Sequence, residues 1–194
     1  MTESIDNLLD FVSFTHEIRN VKRSMWVLNE KQFENDSEHG YQLAVTALYI
    51  IEENKLQLDT YKAMALATVH DILEVHAGDT PVFGDTKDIE TQKEREAKAV
   101  VELKRQWPKL KLLHELIDEY ESRTTHESKF VYALDKLLPI LNNYLDNGRN
   151  WKHWGVTLQD IVSVKTGKVD VDSTIKQYYE EILKLIDKKP DLFI

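Results

Sequence analysis

The sequence predicts an all-α protein folded as a compact helical bundle. Three observations predict it. Only 6 Gly and 4 Pro stand in 194 residues, apolar residues recur at three- and four-residue spacing, and capping residues precede several of those stretches. Apolar residues make up 42% and charged residues 30%, enough for a buried core beneath a solvated surface.

The elements follow in order. Ile5, Leu8, Leu9, Phe11 and Val12 repeat at helical spacing within 4–14. A basic stretch with Arg19, Lys22 and Arg23 leads to Met25 and Trp26, and the polar segment 29–36 reads as a loop. Ser37 is placed to cap a second helix, which carries Tyr41, Leu43, Ala44, Ala47, Leu48 and Ile51 and ends near Asn54. A third starts at Asp59 or Thr60, carries Ala63, Met64, Leu66, Ala67 and Val69, and reaches Leu73 or Val75. Gly78, Pro81 and Gly84 then make 77–89 a loop.

Residues 90–106 read as an exposed, charge-rich helix with Ala97, Val100, Val101 and Leu103 facing inward. Leu112, Leu113, Leu116 and Ile117 mark a helix that ends around Tyr120. Thr124 or Thr125 caps another over 126–145, with Phe130, Val131, Leu134, Leu137, Leu138 and Leu141 in its stripe. The segment 146–155 reads as a turn-rich connection, followed by shorter elements at 157–164 and 172–187. Gly167 and the alternation within 162–171 suggest a small non-helical excursion. The loops are short, so 1–194 reads as a single domain, with 147–194 a C-terminal extension packed on the helical core.

The bulk numbers exclude several functions. A net charge of -9 argues against gripping a nucleic-acid backbone and against docking on acidic membranes. It leaves room for a small phosphorylated substrate, which a few local cations can hold. There is no cysteine, so a metal site must use His, Asp, Glu and water. No apolar run is long enough to span a membrane, the N-terminus lacks the basic start of a signal peptide, and a cytoplasmic location is expected. No nicotinamide, flavin or P-loop signature is present, so no organic cofactor is implied.

The segment 65–81 carries the sharpest chemistry. His70 and Asp71 sit near the end of an apolar helix, and Glu74 follows them by four and three residues, a spacing that turns all three toward one cleft. Burying these carboxylates is costly unless they are paired or bind a cation. A lone His-Asp pair also arises by chance, and the acids can equally cap a loop or face water. Asp79 lies past a Gly turn, beside the cleft or as an ordinary turn residue. His39 stands in the first turn of its helix. Asp135 interrupts a strongly apolar stretch, which a buried ligand role explains and a salt bridge to Lys136 explains as well.

In sequence order the pieces are Arg23 to Trp26, then Ser37-Glu38-His39, then His70-Asp71 with Glu74, Gly78-Asp79 and Pro81. Glu119-Tyr120-Glu121 and Lys129 to Lys136, with Asp135, complete the set. Together they resemble the HD-domain metal-dependent phosphohydrolases, most of all the small HD-domain proteins with 5'-deoxynucleotidase activity. The likeness covers roughly residues 8–145. It implies that His39, His70, Asp71 and Asp135 hold a divalent ion, Mn, Co, Mg, Zn, Fe or Ni. Glu74 would activate or position water. Asp79 would lie beside the sugar and the attacked phosphate, Arg23 on the phosphate, and Trp26 or its neighbour beside the nucleotide.

The implied reaction is hydrolysis of (deoxy)nucleoside 5'-monophosphates to nucleoside and phosphate, by a homodimer. Two rivals share these residues: a nucleotide pyrophosphohydrolase or phosphodiesterase, and a non-catalytic nucleotide-binding regulatory protein. Lys93, Arg95 and Lys136 read as ordinary solvated cations, and Trp107, Trp151 and Trp154 as packing residues.

Overall fold

A computed structural model describes residues 4–79 and 86–193, with backbone alone at 86–90. The fold is a bundle of helices with one small hairpin. Helix α1 (Ile5–Glu17) is capped by the Ser4 side chain, which accepts from the Asp6 N–H. It buries Phe14 and leaves Ile5, Leu8, Leu9 and Val12 exposed.

Strands β1 (Lys22–Trp26) and β2 (Phe33–Asn35) then pair antiparallel, Lys22 opposite Asn35 and Trp26 opposite Phe33. Three residues of the loop expected over 29–36, Phe33 to Asn35, are therefore strand. Trp26 stacks on Phe33 at 4.2 Å between centroids, a cross-strand aromatic pair that closes the hairpin.

Helix α2 (Asp36–Asn54) begins one residue before Ser37, because Asn35 is the cap. Its side-chain oxygen takes the Ser37 and Glu38 N–H groups while Glu38 reaches back to the Asn35 N–H, a reciprocal capping box.

Helix α3 (Thr60–Val69) stops short of the expected Leu73 or Val75. Residues 70–73 form tight turns, with Ile72 N–H on the Val69 carbonyl and Glu74 N–H on the Asp71 carbonyl, before α4 (Glu74–Ala77). Of the loop expected at 77–89, residues 80–85, with Pro81 and Gly84, lie outside the described residues, Ala77 closes α4 and 86–89 belong to the next helix.

Helix α5 (Thr86–Gln106) starts earlier than the 90 read from its pattern. Ala99 and Leu103 are its buried apolar residues, whereas Ala97 and Val101 face out. Helices α6 (Lys111–Ser122) and α7 (His126–Leu145) follow, and Thr125 caps α7 as expected. The connection at 146–155 contains a short helix, α8 (Arg149–Trp154). Helix α9 (Leu158–Val169) runs straight through the region where an excursion was expected, and α10 (Ser173–Asp187) follows.

One hydrophobic core joins α2, α3 and α7 to α8, α9, α10 and the turn at Pro190–Leu192. A smaller one gathers Phe14, Leu73, Ala77, Ala99, Leu103 and Ile117. At the corner between α7 and α8, Gly148 has φ 70° and packs on the chain's end, where an added Cβ would fall 1.9 Å from the Leu192 carbonyl oxygen. Beside it Trp151 stacks on Phe193 at 5.1 Å and 19°.

Candidate metal centre

Three helices that pack on one another supply the centre: α2 brings His39, the end of α3 brings His70, and α7 brings Asp135. One ligand atom from each lies within 4.8 Å of the others, and all three residues are buried. His39 Nε2 is 3.0 Å from Asp135 Oδ1, and His70 Nε2 is 3.7 Å from the same oxygen.

The His70 ring is oriented from behind, its Nδ1 lying 2.9 Å from the Ala67 carbonyl. That carbonyl can only accept, so Nδ1 carries a proton and Nε2 is the nitrogen that faces the centre. His70 Nε2 is buried and makes no hydrogen bond, although Asp71 Oδ2 stands 3.0 Å away. Asp135 is steadied by the Tyr120 hydroxyl, which donates to Oδ2 at 3.0 Å, and by the Lys136 ammonium.

The electrostatics fit a cation. Burial lowers the tendency of His39 to protonate, and the nearby Arg23 guanidinium lowers it further, to a pKa of about 4. His39 is thus a neutral imidazole with a lone pair to give. Burial works the same way on His70, but the carboxylates of Asp71 and Asp135 override it and raise the ring to about 10. Burial pushes the Glu34 carboxyl up to about 7 despite Arg23. Burial, with Asp71, Asp36 and Asp79 around it, pushes Glu74 up to about 11. Carboxyl groups forced toward neutrality beside an imidazole drawn toward protonation mark a pocket whose geometry calls for positive charge. Two imidazole nitrogens and a carboxylate oxygen, with no sulfur, are the donor set of a divalent ion. The cluster can bind one.

Arg23 sits on β1 beside this centre. It lies 2.7 Å from Asp71 Oδ2, 3.1 Å from Asp36 Oδ1 and 3.5 Å from Glu34 Oε2. Burial opposes its charge, yet Asp71, Asp135, Asp79 and Glu74 hold it firmly cationic.

Two cavities meet here, of about 120 and 410 Å³, and both are bordered by Arg23, Asp79, Asp135 and Lys136. The wider also touches His70, Asp71, Glu74 and Tyr120. The narrower runs back past Met25 to Asn143, Asn150, Trp151 and Trp154.

The structure thus brings together His39, His70, Asp71, Glu74, Asp79, Arg23 and Asp135. Trp26 does not line either cavity: it packs against Phe33, with the Arg149 guanidinium 5.1 Å above its ring. Trp151 and Trp154, expected as packing residues, line the narrower cavity, and Lys136 borders both cavities instead of being simply solvated.

Tyr120, which stands among the motif pieces without a stated role, belongs to this neighbourhood, as do Glu34, Asp36 and Lys165, which were not expected there. For Lys165 a signal exists. Ile161, Lys165 and Val169 are four apart on α9, so the lysine falls on the buried stripe.

A bundle whose helices converge a His/His/Asp cluster beside an arginine-lined cavity defines a metal-binding phosphohydrolase fold. Residues 15–176 match the HD-domain family, and the chain belongs to it. It is 30% identical over 185 residues, 94% of its own length and 84% of the other's, to the human 5'-deoxynucleotidase HDDC2. The Bos taurus HDDC2 is 36% identical over 138 residues, 70% of this chain and 65% of that one. Among solved structures, one described as a predicted metal-dependent phosphohydrolase from Magnetospirillum magnetotacticum MS-1 superposes with a TM-score of 0.83 at 25% identity, covering 98% of this chain and 96% of that one. No helix among the described residues is long and apolar enough to cross a membrane.

Proposed function

We propose that this chain hydrolyses (deoxy)nucleoside 5'-monophosphates to a nucleoside and inorganic phosphate. The observation that carries the proposal is the opening of the His39–His70–Asp135 cluster onto cavities bordered by Arg23 and Lys136. The relatives named 5'-deoxynucleotidases support the nucleotide as substrate.

In this reading His39, His70 and Asp135 hold the ion, and Asp71 completes the set from beside His70. When bound, a divalent ion supplies Lewis acidity toward a phosphoryl oxygen and acidifies water. Arg23 stabilises charge that develops on the phosphoryl oxygens, its guanidinium already oriented by Asp71 and Asp36. Glu74 borders the same cavity with its Oε2 buried and without a hydrogen bond, so an acceptor is ready to orient water. Asp79 stands where both cavities meet and is placed to accept from a sugar hydroxyl.

The test is phosphate release from a panel of nucleoside monophosphates, with ions added back to chelated protein. Triphosphates, cyclic nucleotides and dinucleotides belong in the panel, because the same centre serves a pyrophosphohydrolase or phosphodiesterase. Turnover of monophosphates with added ion is the expected result. A folded, metal-loaded protein that turns over no phosphoester would sink the proposal.

A further inference from the structure

Lys165 is 7% exposed, in the middle of α9, on the stripe whose other members, Ile161 and Val169, belong to the hydrophobic core. Its ammonium makes no hydrogen bond or ion pair with any described residue. It borders the narrower cavity together with Arg23, Asp79, Asp135 and Lys136.

Burying a charged ammonium without a partner is costly, and an apolar side chain at this position would extend the core. Packing therefore does not explain the residue. The surroundings sharpen the point. Burial lowers its pKa to about 7, and Lys136, Lys168 and Arg23 lower it too, with Asp135 opposing them. Arg23 and Lys136 have carboxylate partners, whereas Lys165 has none. An anion in the cavity would supply the missing partner and restore the charged form.

We propose that Lys165 is a substrate-binding residue that donates a hydrogen bond to a phosphoryl oxygen held beside the metal centre. This gives α9, which lies outside the run of motifs at 8–145, a direct part in ligand binding. The inference rests on the phosphohydrolase reading above.

The test uses the full chain loaded with manganese and titrated calorimetrically with inorganic phosphate. Lys165→Met is expected to weaken phosphate binding about tenfold to a hundredfold, the range for a lost hydrogen bond between charged groups. Lys165→Arg should restore it to within a few-fold. Lys176→Met, which removes an exposed lysine paired with Asp170, should change it less than twofold. Manganese affinity should be the same in all, and Lys165→Met should melt at a higher temperature than wild type, because a buried unpaired charge has gone. Phosphate bound equally by wild type and Lys165→Met overturns the proposal. So does wild-type protein that binds manganese but no phosphate, or a Lys165→Met protein that melts earlier and loses its manganese. Failure of the nucleotide reading looks different: phosphate binding that depends on Lys165, with no turnover of any nucleoside monophosphate, removes the proposed reaction and supports this contact.

Discussion

Arg23 and Asp71, 48 residues apart in sequence, meet with Nη1 2.7 Å from Oδ2. The pair ties the hairpin to the turn that follows α3 and aims the guanidinium at the metal centre. Arg23→Gln leaves Asp71, Asp36 and Glu34 without their counter-charge. Removing one partner of a buried pair costs about 3–5 kcal/mol, so the melting temperature should fall clearly. The specificity constant on the best phosphoester should drop about 10²–10³-fold, the loss typical of one oriented donor. An Arg23→Gln protein with unchanged kcat/KM would refute the phosphate role.

The ligand cluster predicts a linkage between ion and stability. Chelated protein titrated with a divalent ion should gain about 2.7 kcal/mol of unfolding free energy at a hundredfold excess over Kd. His39→Ala, His70→Ala and Asp135→Ala should each lose that gain. Equal stabilisation of all three variants by the ion would place the ion elsewhere.

Glu74→Gln separates chemistry from architecture. The acid is pushed up to about 11 by burial and by Asp71, Asp36 and Asp79, so the native fold already favours a neutral group there. The glutamine should therefore fold at least as stably as wild type. Its kcat should fall about 10²–10⁴-fold, the usual range for a general acid–base group, with manganese affinity within a few-fold. Full activity in Glu74→Gln would remove the residue from the reaction.

Lys165 sets a pH dependence in phosphate-free protein. Its folded pKa of about 7 lies below the ordinary lysine value of 10.5, so between the two the unfolded chain binds more protons. Stability from this group must rise with pH across that window. Below about 7 the full cost of the buried charge is present, and near 10.5 it is gone. Denaturant melts of wild type and Lys165→Met should thus differ most at pH 6 and converge toward pH 10. A gap that widens with pH would contradict the buried, unpaired state.

Helix α7 shows what a sequence conveys well. Its cap at Thr125 and its end at Leu145 follow from a hydroxyl before a long periodic stripe. Thr125→Ala should accordingly cost about 1 kcal/mol, read by chemical denaturation. The hairpin was hidden because β1 and β2 are five and three residues long and neither alternates cleanly between apolar and polar. Local periodicity also carried α3 through to Leu73, since Ile72 and Leu73 continue its apolar run. The chain turns tightly there instead, with His70 and Asp71 3.0 Å apart at the centre.

The site was legible where motif residues recur in order, as at His39, His70 and Asp135. It was hidden where tertiary packing alone decides. The resemblance implies Trp26 beside the nucleotide and leaves Trp154 a packing residue, yet the hairpin turns the first onto Phe33 and α8 sets the second at the cavity.

Gly148 against Leu192, and Trp151 against Phe193, fasten the last turn of the chain behind a wall of the narrower cavity. The segment Leu192–Phe193 therefore buttresses the cavity from behind. A fluorophore or fluorine label placed beside Phe193 becomes a reporter of ligand occupancy. Removing Leu192 and Phe193 would unseat Gly148 and Trp151 and so reshape that cavity wall.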